Sequence, residues 1–184
     1  FNAHNFAGAL LAASWGGIPL ERLSQGLASF QGVKRRQEVV GEVKGHLVID
    51  DFAHHPTAVD RVLEGITAKY PGYQVLTFFE PRSNTSRRNI LQKEWNKAFD
   101  KSDVTFLAEV FRKEAIAESE RLSEVEVVSS HASRGKTVLA SLKPEEMISR
   151  AMDYARKRKS IFVILSNGSF DGLHEKLISA LKSL

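Results

Sequence analysis

Five consecutive apolar residues at positions 161–165, Ile-Phe-Val-Ile-Leu, constrain the fold of this chain more than any other segment. A short run that is apolar at every position is typical of a strand covered on both faces, as in a parallel sheet between two layers of helices. Parallel strands need long crossover connections, so helical patterns should alternate with strands along the chain. The run therefore predicts an α/β fold.

The chain from residue 37 onward shows this alternation. Strands are predicted at residues 37–43, 46–50, 73–79, 103–108, 137–140 and 161–165, and helices at about 56–69, 86–99, 122–134, 144–158 and 171–183. The valines in 122–134 would suit a strand, but Ser123 before two acids frames a helix, which we favour. Lys44-Gly45 predicts a tight hairpin between the first two strands. The expected fold is α/β, with a three-layer, Rossmann-like, mostly parallel sheet of about six strands and one antiparallel strand from the opening hairpin.

The first 32 residues follow a different pattern. Residues 4–16 and 20–30 predict two short helices, separated by Gly-Gly-Ile-Pro, which is a strong stop and start signal. We place a domain boundary near residue 33, between a helical pair at 1–32 and an α/β domain at 33–184. The chain opens on Phe1 within a helical pattern, so we expect it to begin inside a larger protein. No apolar run approaches the roughly 20 residues of a membrane span.

Charge and cysteine content limit the classes of partner and site. The net charge of +4 predicts a partner that carries phosphates or carboxylates. Nucleic acid is not favoured, because the lysines and arginines are dispersed and the densest run, at 156–159, lies at a predicted helix end. With no cysteine, the chain can form no disulfide, thiolate zinc site or cysteine nucleophile, which suits a cytoplasmic location.

Three polar segments each follow a predicted strand and precede a helical pattern, at 50–55, 80–85 and 166–169. The carboxyl ends of parallel strands share one edge of the sheet, which is where open α/β sheets bind their ligands. Pro56 suits the first position of a helix whose N-terminus favours an anion. The three segments together therefore predict a binding edge.

Two alternatives remain for the acids and imidazoles at 50–55. Asp50, Asp51, His54 and His55 carry the ligand types of a divalent metal site. Successive strand residues point to opposite faces, however, so the two acids should not share one ion, and no other acidic cluster supplies further ligands. The alternative without a ligand is that Asp51 and His55 only end the strand and cap the helix.

Several segments resemble the Mur ligase family, the ATP-dependent amide ligases of bacterial cell-wall assembly. Residues 4–5 resemble the His-Asn motif on the adenine side, 32–36 the hinge with its arginine, and 50–56 the strand-end motif whose acid contacts the ribose. Where the family has a second asparagine, this chain has Gly8. The resemblance implies that 1–32 is the end of the central ATP-binding domain and 33–184 the C-terminal domain. It implies nucleotide binding by His4, Asn5, Arg36 and Asp51, with His54 and His55 in supporting roles.

The segments at 79–85 and 165–174 are similar to one branch of that family, which works in peptidoglycan recycling. That branch joins UDP-N-acetylmuramate to the tripeptide L-alanyl-γ-D-glutamyl-meso-diaminopimelate. The resemblance implies that the peptide is bound by Arg82, Ser83, Asn84, Thr85, Ser166, Asn167, Gly168 and His174. The branch that joins UDP-N-acetylmuramate to L-alanine, and a non-catalytic nucleotide-binding or peptide-binding module, remain as alternatives.

The resemblance also implies a mechanism. ATP, with Mg²⁺, phosphorylates the muramate carboxylate and leaves as ADP. The peptide amine then attacks the acyl phosphate, and the tetrahedral intermediate collapses to the amide and phosphate. The phosphate-binding lysine, the magnesium-binding acids and the UDP-muramate domain of the family have no counterpart in this sequence. We therefore expect no catalytic residue and no metal site within these residues. The missing N-terminal and central domains would be needed for activity.

Overall fold

The computed structural model describes residues 2–30 and 32–184, apart from the side chains of residues 2 and 3, and divides into two compact units whose boundary in the sequence lies after Val33. The first unit contains helices α1 (Asn2–Trp15) and α2 (Leu20–Ser29), which confirms the predicted pair of helices. Within this unit the rings of Phe6 and Phe30 meet edge to face, with centroids 6.1 Å apart.

The second unit, Lys34–Leu184, is a six-stranded sheet with helices on both faces. Its strands are β1 (Glu38–Val43), β2 (His46–Asp51), β3 (Gln74–Phe79), β4 (Val104–Ala108), β5 (Thr137–Leu142) and β6 (Ser160–Leu165). Its helices are α3 (Pro56–Lys69), α4 (Gln92–Trp95), α5 (Glu124–Ala132), α6 (Pro144–Ala155) and α7 (Leu173–Lys182). The strand order is β1-β2-β6-β3-β4-β5, with β1 antiparallel to β2 and every other pair parallel. The predicted α/β fold is thus confirmed.

The sheet separates two hydrophobic cores, because alternate residues of each strand point to opposite faces. On one face Ile49 of β2 and Val163 of β6 pack with α3, α4 and α5. On the other, Val48 and Phe162 pack with α6 and α7. The strand β6 is completely buried, as its unbroken apolar run predicts.

One helix prediction is wrong. Residues 86–99 form a 3₁₀ turn at Asn89–Leu91, the single-turn helix α4 and further turns, in place of one long helix. The backbone carbonyl of Arg87 accepts a hydrogen bond from the N–H of Leu122, at 3.0 Å, and the side-chain oxygen of Gln92 accepts one from Ser123 N, at 2.8 Å. The Arg87 carbonyl, which a helix would use internally, is therefore committed to a distant segment of the chain, and the Gln92 side chain holds the same segment.

Helix α5 confirms the prediction for residues 122–134, and Ser123 is its N-cap, since its hydroxyl accepts a hydrogen bond from Glu126 N at 3.2 Å. Among the helices in residues 2–30 and 32–184, none has the length and apolarity that crossing a membrane requires.

The strand register determines where the polar segments emerge. Asp51 of β2 and Phe79 of β3 both pair with Leu165 of β6, which lies between them. The three strands therefore end at the same level, and the segments that follow them begin side by side.

Candidate functional site

The three predicted polar segments lie together at the carboxyl edge of β2, β6 and β3, as the sequence predicts. Backbone hydrogen bonds join them: Ser166 N donates to Asp51 O at 3.4 Å, and Glu80 N donates to Leu165 O at 3.2 Å. The edge is therefore one continuous surface built from three loops, which we call the loop edge (residues 50–55, 80–85 and 166–169).

The segments after β6 and β3 are joined by buried side chains. The hydroxyl of Ser166 donates to a carboxylate oxygen of Glu80 at 2.6 Å and accepts the N–H of Gly168 at 2.9 Å. Ser166 is 0% exposed and Glu80 6% exposed, so both groups depend on each other for hydrogen bonding. Ser166 is thus part of the framework of the loop edge.

Arg82 lies above this pair and faces the β6–α7 loop. Its Nη1 is 3.3 Å from Oε1 of Glu80, and its guanidinium carbon lies 4.0 Å from the ring centroid of Phe111. A Cβ at Gly168 would come within 2.5 Å of Cδ and Nε of Arg82. Only glycine at 168 lets the arginine side chain lie this close. The planar guanidinium, partly open to solvent, suits a bidentate carboxylate.

The other predicted peptide-binding residues differ in their accessibility. Asn84 and Thr85 are exposed, and Asn84 Oδ1 accepts a hydrogen bond from Arg87 at 3.0 Å. The hydroxyl of Ser83 bonds that of Ser86 at 2.8 Å, which stabilises the turn. In the part of the chain that the structure describes, Oδ1 of Asn167 is buried with no hydrogen-bond partner. With no donor this buried oxygen is unsatisfied, and it can accept a ligand N–H once the Asn167 side chain turns outward.

His174 faces a buried carboxylate. Its Nε2 lies 3.2 Å from Oδ1 of Asp50, and Arg35 Nε donates to Oδ2 at 3.0 Å. Burial opposes the charge of Asp50, but His174 and Arg35 outweigh it and hold the pKa of Asp50 below its ordinary value. The contact that the structure gives His174 is therefore to Asp50, and its predicted contact to a peptide stays a prediction.

Asp51 lies on the face of β2 opposite to Asp50 and binds backbone N–H groups. Its two carboxylate oxygens accept the N–H groups of Gln37 and Ala53, each at 2.8 Å, and the residue is 0% exposed. Burial raises the pKa of Asp51 in spite of these two bonds. A direct contact of Asp51 with a ribose stays a prediction.

The two histidines after β2 have separate surroundings. His54 is half-buried, with Nδ1 2.9 Å from Phe52 O, whereas His55 is exposed. His55 stands at the N-cap position of α3 but makes no side-chain capping bond, so the alternative in which it caps the helix is wrong. Asp51 accepts from Ala53, which ends the strand in a turn before the helix.

The predicted nucleotide-binding residues other than Asp51 are exposed. His4 and Asn5 lie on α1 of the first unit, close in sequence to the exposed Gly8, and Arg36 lies at the start of the second unit. The exposed guanidinium of Arg36 fits a phosphate group, and the polar side chains of His4 and Asn5 fit the edge of a base. The buried carboxylate of Asp51 does not fit a ribose in this arrangement.

The acids of the loop edge do not fit a magnesium site. Asp50 and Asp51 contact different partners on opposite faces of β2, namely Arg35 and His174 on one side and backbone N–H groups on the other. Within residues 2–30 and 32–184, no three His, Asp or Glu side chains are grouped as metal ligands.

Three residues that the sequence analysis did not single out belong to the site. Arg35 adjoins Arg36 in the same basic segment, and Glu80 opens the polar segment that holds Arg82, so both could have been included from the sequence. Phe111 follows β4 in a long loop, and its N–H donates to Pro81 O at 3.0 Å. No local signal marks Phe111, because its relation to Arg82 arises only from the packing of the two loops.

Known proteins are similar to this chain in sequence and in structure. A family model described as Mur ligase, glutamate ligase domain, matches residues 35–168. The UDP-N-acetylmuramate--L-alanyl-gamma-D-glutamyl-meso-2,6-diaminoheptandioate ligase of Haemophilus influenzae is 33% identical over 183 residues, which is 98% of this chain and 38% of that protein. The UDP-N-acetylmuramate--L-alanine ligase of Roseiflexus castenholzii is 32% identical over 157 residues, 80% of this chain and 33% of that protein.

The crystal structure of a murein peptide ligase from Psychrobacter arcticus 273-4 matches with a TM-score of 0.71 at 28% identity, covering 100% of this chain and 37% of that one. The chain thus spans between 33% and 38% of the lengths of these three relatives.

Proposed function

This chain belongs to the Mur ligase family, and we propose that it is the C-terminal part of an ATP-dependent amide ligase. The proposed reaction joins UDP-N-acetylmuramate to the tripeptide L-alanyl-γ-D-glutamyl-meso-diaminopimelate, in peptidoglycan recycling. The similarity to the Haemophilus ligase named for these two substrates, over 98% of this chain, supports the proposal. In this proposal residues 1–32 are the end of the central ATP-binding domain and residues 33–184 are the C-terminal domain.

The peptide part of the proposal rests on the placement of Arg82 and Asn167 on neighbouring loops. Arg82 presents a planar cation that suits a carboxylate, and the buried Oδ1 of Asn167 has no donor among the described residues. The tripeptide has several carboxylates and amide N–H groups. One basic fork beside one orphaned acceptor is the complement of such a ligand.

The residues of this chain position substrates in the proposed reaction. When bound, ATP with Mg²⁺ supplies the phosphoryl group that activates the muramate carboxylate as an acyl phosphate. Arg36 would contact phosphate oxygens, with His4 and Asn5 on the base side. Arg82, Asn167 and their neighbours would hold the tripeptide so that its amine reaches the activated carboxylate. Such alignment lowers a barrier by several kcal/mol when the geometry is good.

A second candidate is the ligation of L-alanine to UDP-N-acetylmuramate. It is favoured by the Roseiflexus ligase named for that reaction, which matches 80% of this chain. The two reactions differ in the size and charge of the amine substrate. L-alanine carries one carboxylate and no peptide N–H, so it would use fewer of the polar groups at the loop edge.

The test is a ligation assay on the full-length protein with ATP, Mg²⁺, UDP-N-acetylmuramate and either the tripeptide or L-alanine. We expect amide formation with the tripeptide. Formation of the amide with L-alanine alone would assign the chain to the second candidate, and no reaction with either amine would refute both. The 184-residue chain by itself serves as the control, and we expect no turnover from it.

A further inference from the structure

Arg35 has an unusual backbone that its neighbours hold in place. Its φ is 57°, in the left-handed region that costs a non-glycine residue free energy. Its N–H donates to a carboxylate oxygen of Glu38 at 2.8 Å, its carbonyl accepts the N–H of Phe52 at 2.9 Å, and its guanidinium lies 5.2 Å from the Phe52 ring centroid. Strained backbone of this kind persists where surrounding contacts fix it, often at functional sites.

The guanidinium of Arg35 binds three acceptors at the loop edge. Nε donates to Oδ2 of Asp50 at 3.0 Å, and Nη2 donates to the backbone carbonyls of Ser166 at 2.5 Å and Gly168 at 3.0 Å. One planar cation thereby joins the end of β2 to the loop after β6. Lysine, a point charge on a flexible stem, could not hold all three acceptors in this geometry.

The two carbonyls that Arg35 holds flank the candidate peptide-binding groups. Asn167 lies between them and carries the orphaned Oδ1. Gly168 is the residue against which Arg82 packs, and the Ser166 hydroxyl binds the carboxylate of Glu80 that also pairs with Arg82. A shift of the loop would therefore move both the acceptor and the surface that fixes the arginine.

We propose that Arg35 is a positioning residue, which holds the 166–168 loop in the shape that binds the peptide. The inference rests on the proposed function, since it explains how the peptide site is kept in order. The acceptors of Arg35 lie at the edge of the sheet, outside the two hydrophobic cores, and its side chain is 31% exposed. Its removal should therefore disturb the loop more than the fold.

The kinetic test uses the full-length ligase with Arg35→Ala and Arg35→Lys. Arg150→Ala is the matched control, because Arg150 is an exposed arginine paired with Glu146 on α6. We expect Arg35→Ala to raise the tripeptide KM at least about tenfold, with the ATP KM within about twofold of wild type. The tripeptide KM of Arg35→Lys should lie between those of wild type and Arg35→Ala. Added guanidinium ion should lower the tripeptide KM of Arg35→Ala and leave that of the control unchanged.

The second test needs no activity. Hydrogen exchange of the backbone amides at 166–169 is measured in the substrate-free proteins, with the amides of β3 as an internal reference. We expect faster exchange in this loop in both Arg35 variants and no change in β3. If Arg35→Ala does not fold, the tripeptide KM and the hydrogen exchange of the loop are measured on Arg35→Lys.

The outcomes separate the two proposals. A wild-type enzyme that does not ligate the tripeptide refutes the proposed function, and the loop exchange still tests whether Arg35 orders the loop. A wild-type enzyme that ligates the tripeptide, together with an unchanged tripeptide KM in the Arg35 variants, overturns the positioning role. Loop exchange that matches the control also overturns it.

Discussion

The guanidinium carbon of Arg82 lies 4.0 Å from the ring centroid of Phe111, so the arginine at the loop edge is stacked on an aromatic residue from the next strand's loop. Glu80 contacts the same guanidinium, at 3.3 Å. The cation is thus held on one face by the ring and at one end by a carboxylate. Side chains that are ordered before binding lose less entropy when a ligand arrives.

Replacing Arg82 should weaken binding of the peptide much more than binding of the nucleotide. In the full-length ligase we expect Arg82→Ala to raise the tripeptide KM about tenfold or more and leave the ATP KM unchanged. Arg36→Ala should show the reverse pattern, because its exposed guanidinium is proposed to meet phosphates. Steady-state kinetics with each substrate varied in turn measures both. Equal effects of both variants on both substrates would contradict this division of the site.

Replacing Phe111 should loosen Arg82 without removing its charge. Phe111→Leu keeps an apolar side chain but loses the cation–π contact, which contributes about 0.5–1 kcal/mol at a partly exposed site. We expect the tripeptide KM to rise roughly threefold. In the Arg82→Ala background the same substitution should have no further effect, and a full additional loss there would show that Phe111 acts independently.

A methyl group at Gly168 should displace Arg82. The added Cβ would lie 2.5 Å from Cδ and Nε of that side chain, which is closer than such atoms approach. Because the long arginine side chain can swing into solvent, we expect Gly168→Ala to raise the tripeptide KM while the melting temperature changes little. Gly26→Ala is the control for the tripeptide KM, since a Cβ there meets nothing within 4 Å. Because Gly26 lies within α2, alanine there should raise the melting temperature slightly. A clear fall in the melting temperature of Gly168→Ala would mean that the loop backbone moves instead.

The contacts of Asp50 with Arg35 and His174 should make the free energy of unfolding depend on pH in the acid range. The pKa of Asp50 is lowered in the folded state, because His174 and Arg35 outweigh its burial. Ionised Asp50 therefore contributes stability above the unfolded pKa of about 4, and this is lost as pH falls through the folded value. We expect Asp50→Asn to reduce the free energy of unfolding at pH 7 by about 1–3 kcal/mol.

Denaturant unfolding of wild type and Asp50→Asn at several pH values checks this expectation. The difference between the two proteins should narrow as the pH falls below about 4. A difference that stays constant down to strongly acidic pH would mean that the carboxylate charge contributes nothing.

Two buried histidines should make stability fall on mild acidification. The pKa of His131 is lowered by burial, although Asp100 lies 3.5 Å from Nε2, and the pKa of His46 is lowered by burial and then by Lys159. In both, a ring nitrogen accepts a backbone N–H, from Phe99 at 3.4 Å and Ser160 at 3.1 Å. The folded state thus keeps the neutral rings, while the unfolded chain takes up protons below about pH 6.5.

The free energy of unfolding should therefore decrease as pH drops from 7 towards 5, by up to about 1.4 kcal/mol per pH unit for each histidine. His131→Gln should flatten this dependence, and adding His46→Gln should flatten it further. Chemical denaturation across this pH range is the measurement. An unchanged slope in the double variant would assign the pH dependence to other groups.

Much of the site could be predicted from the sequence because its segments are marked locally. Each of the loops at 50–55, 80–85 and 166–169 brings polar residues to the end of an apolar strand, and the parallel pairing of those strands places the three loops side by side. Arg35 could not be distinguished from Arg36 in this way. The choice between two adjacent arginines depends on the left-handed backbone at Arg35, which turns its side chain towards the carbonyls of Ser166 and Gly168.

Periodicity and turn chemistry act over a few residues, so the local sequence is enough to specify the alternation of strands and helices, the hairpin at Lys44-Gly45 and the segments that carry polar groups. The strand order, with β6 between β2 and β3, depends instead on packing between distant segments, and so do the contacts of Ser166 with Glu80 and Arg35. The same packing explains why residues 86–99 form no long helix but hydrogen-bond to the backbone of residues 122–123, and why the Phe111 ring contacts the Arg82 guanidinium. These contacts join residues far apart in the chain, so no local pattern encodes them, and they exist only once neighbouring strands are fixed.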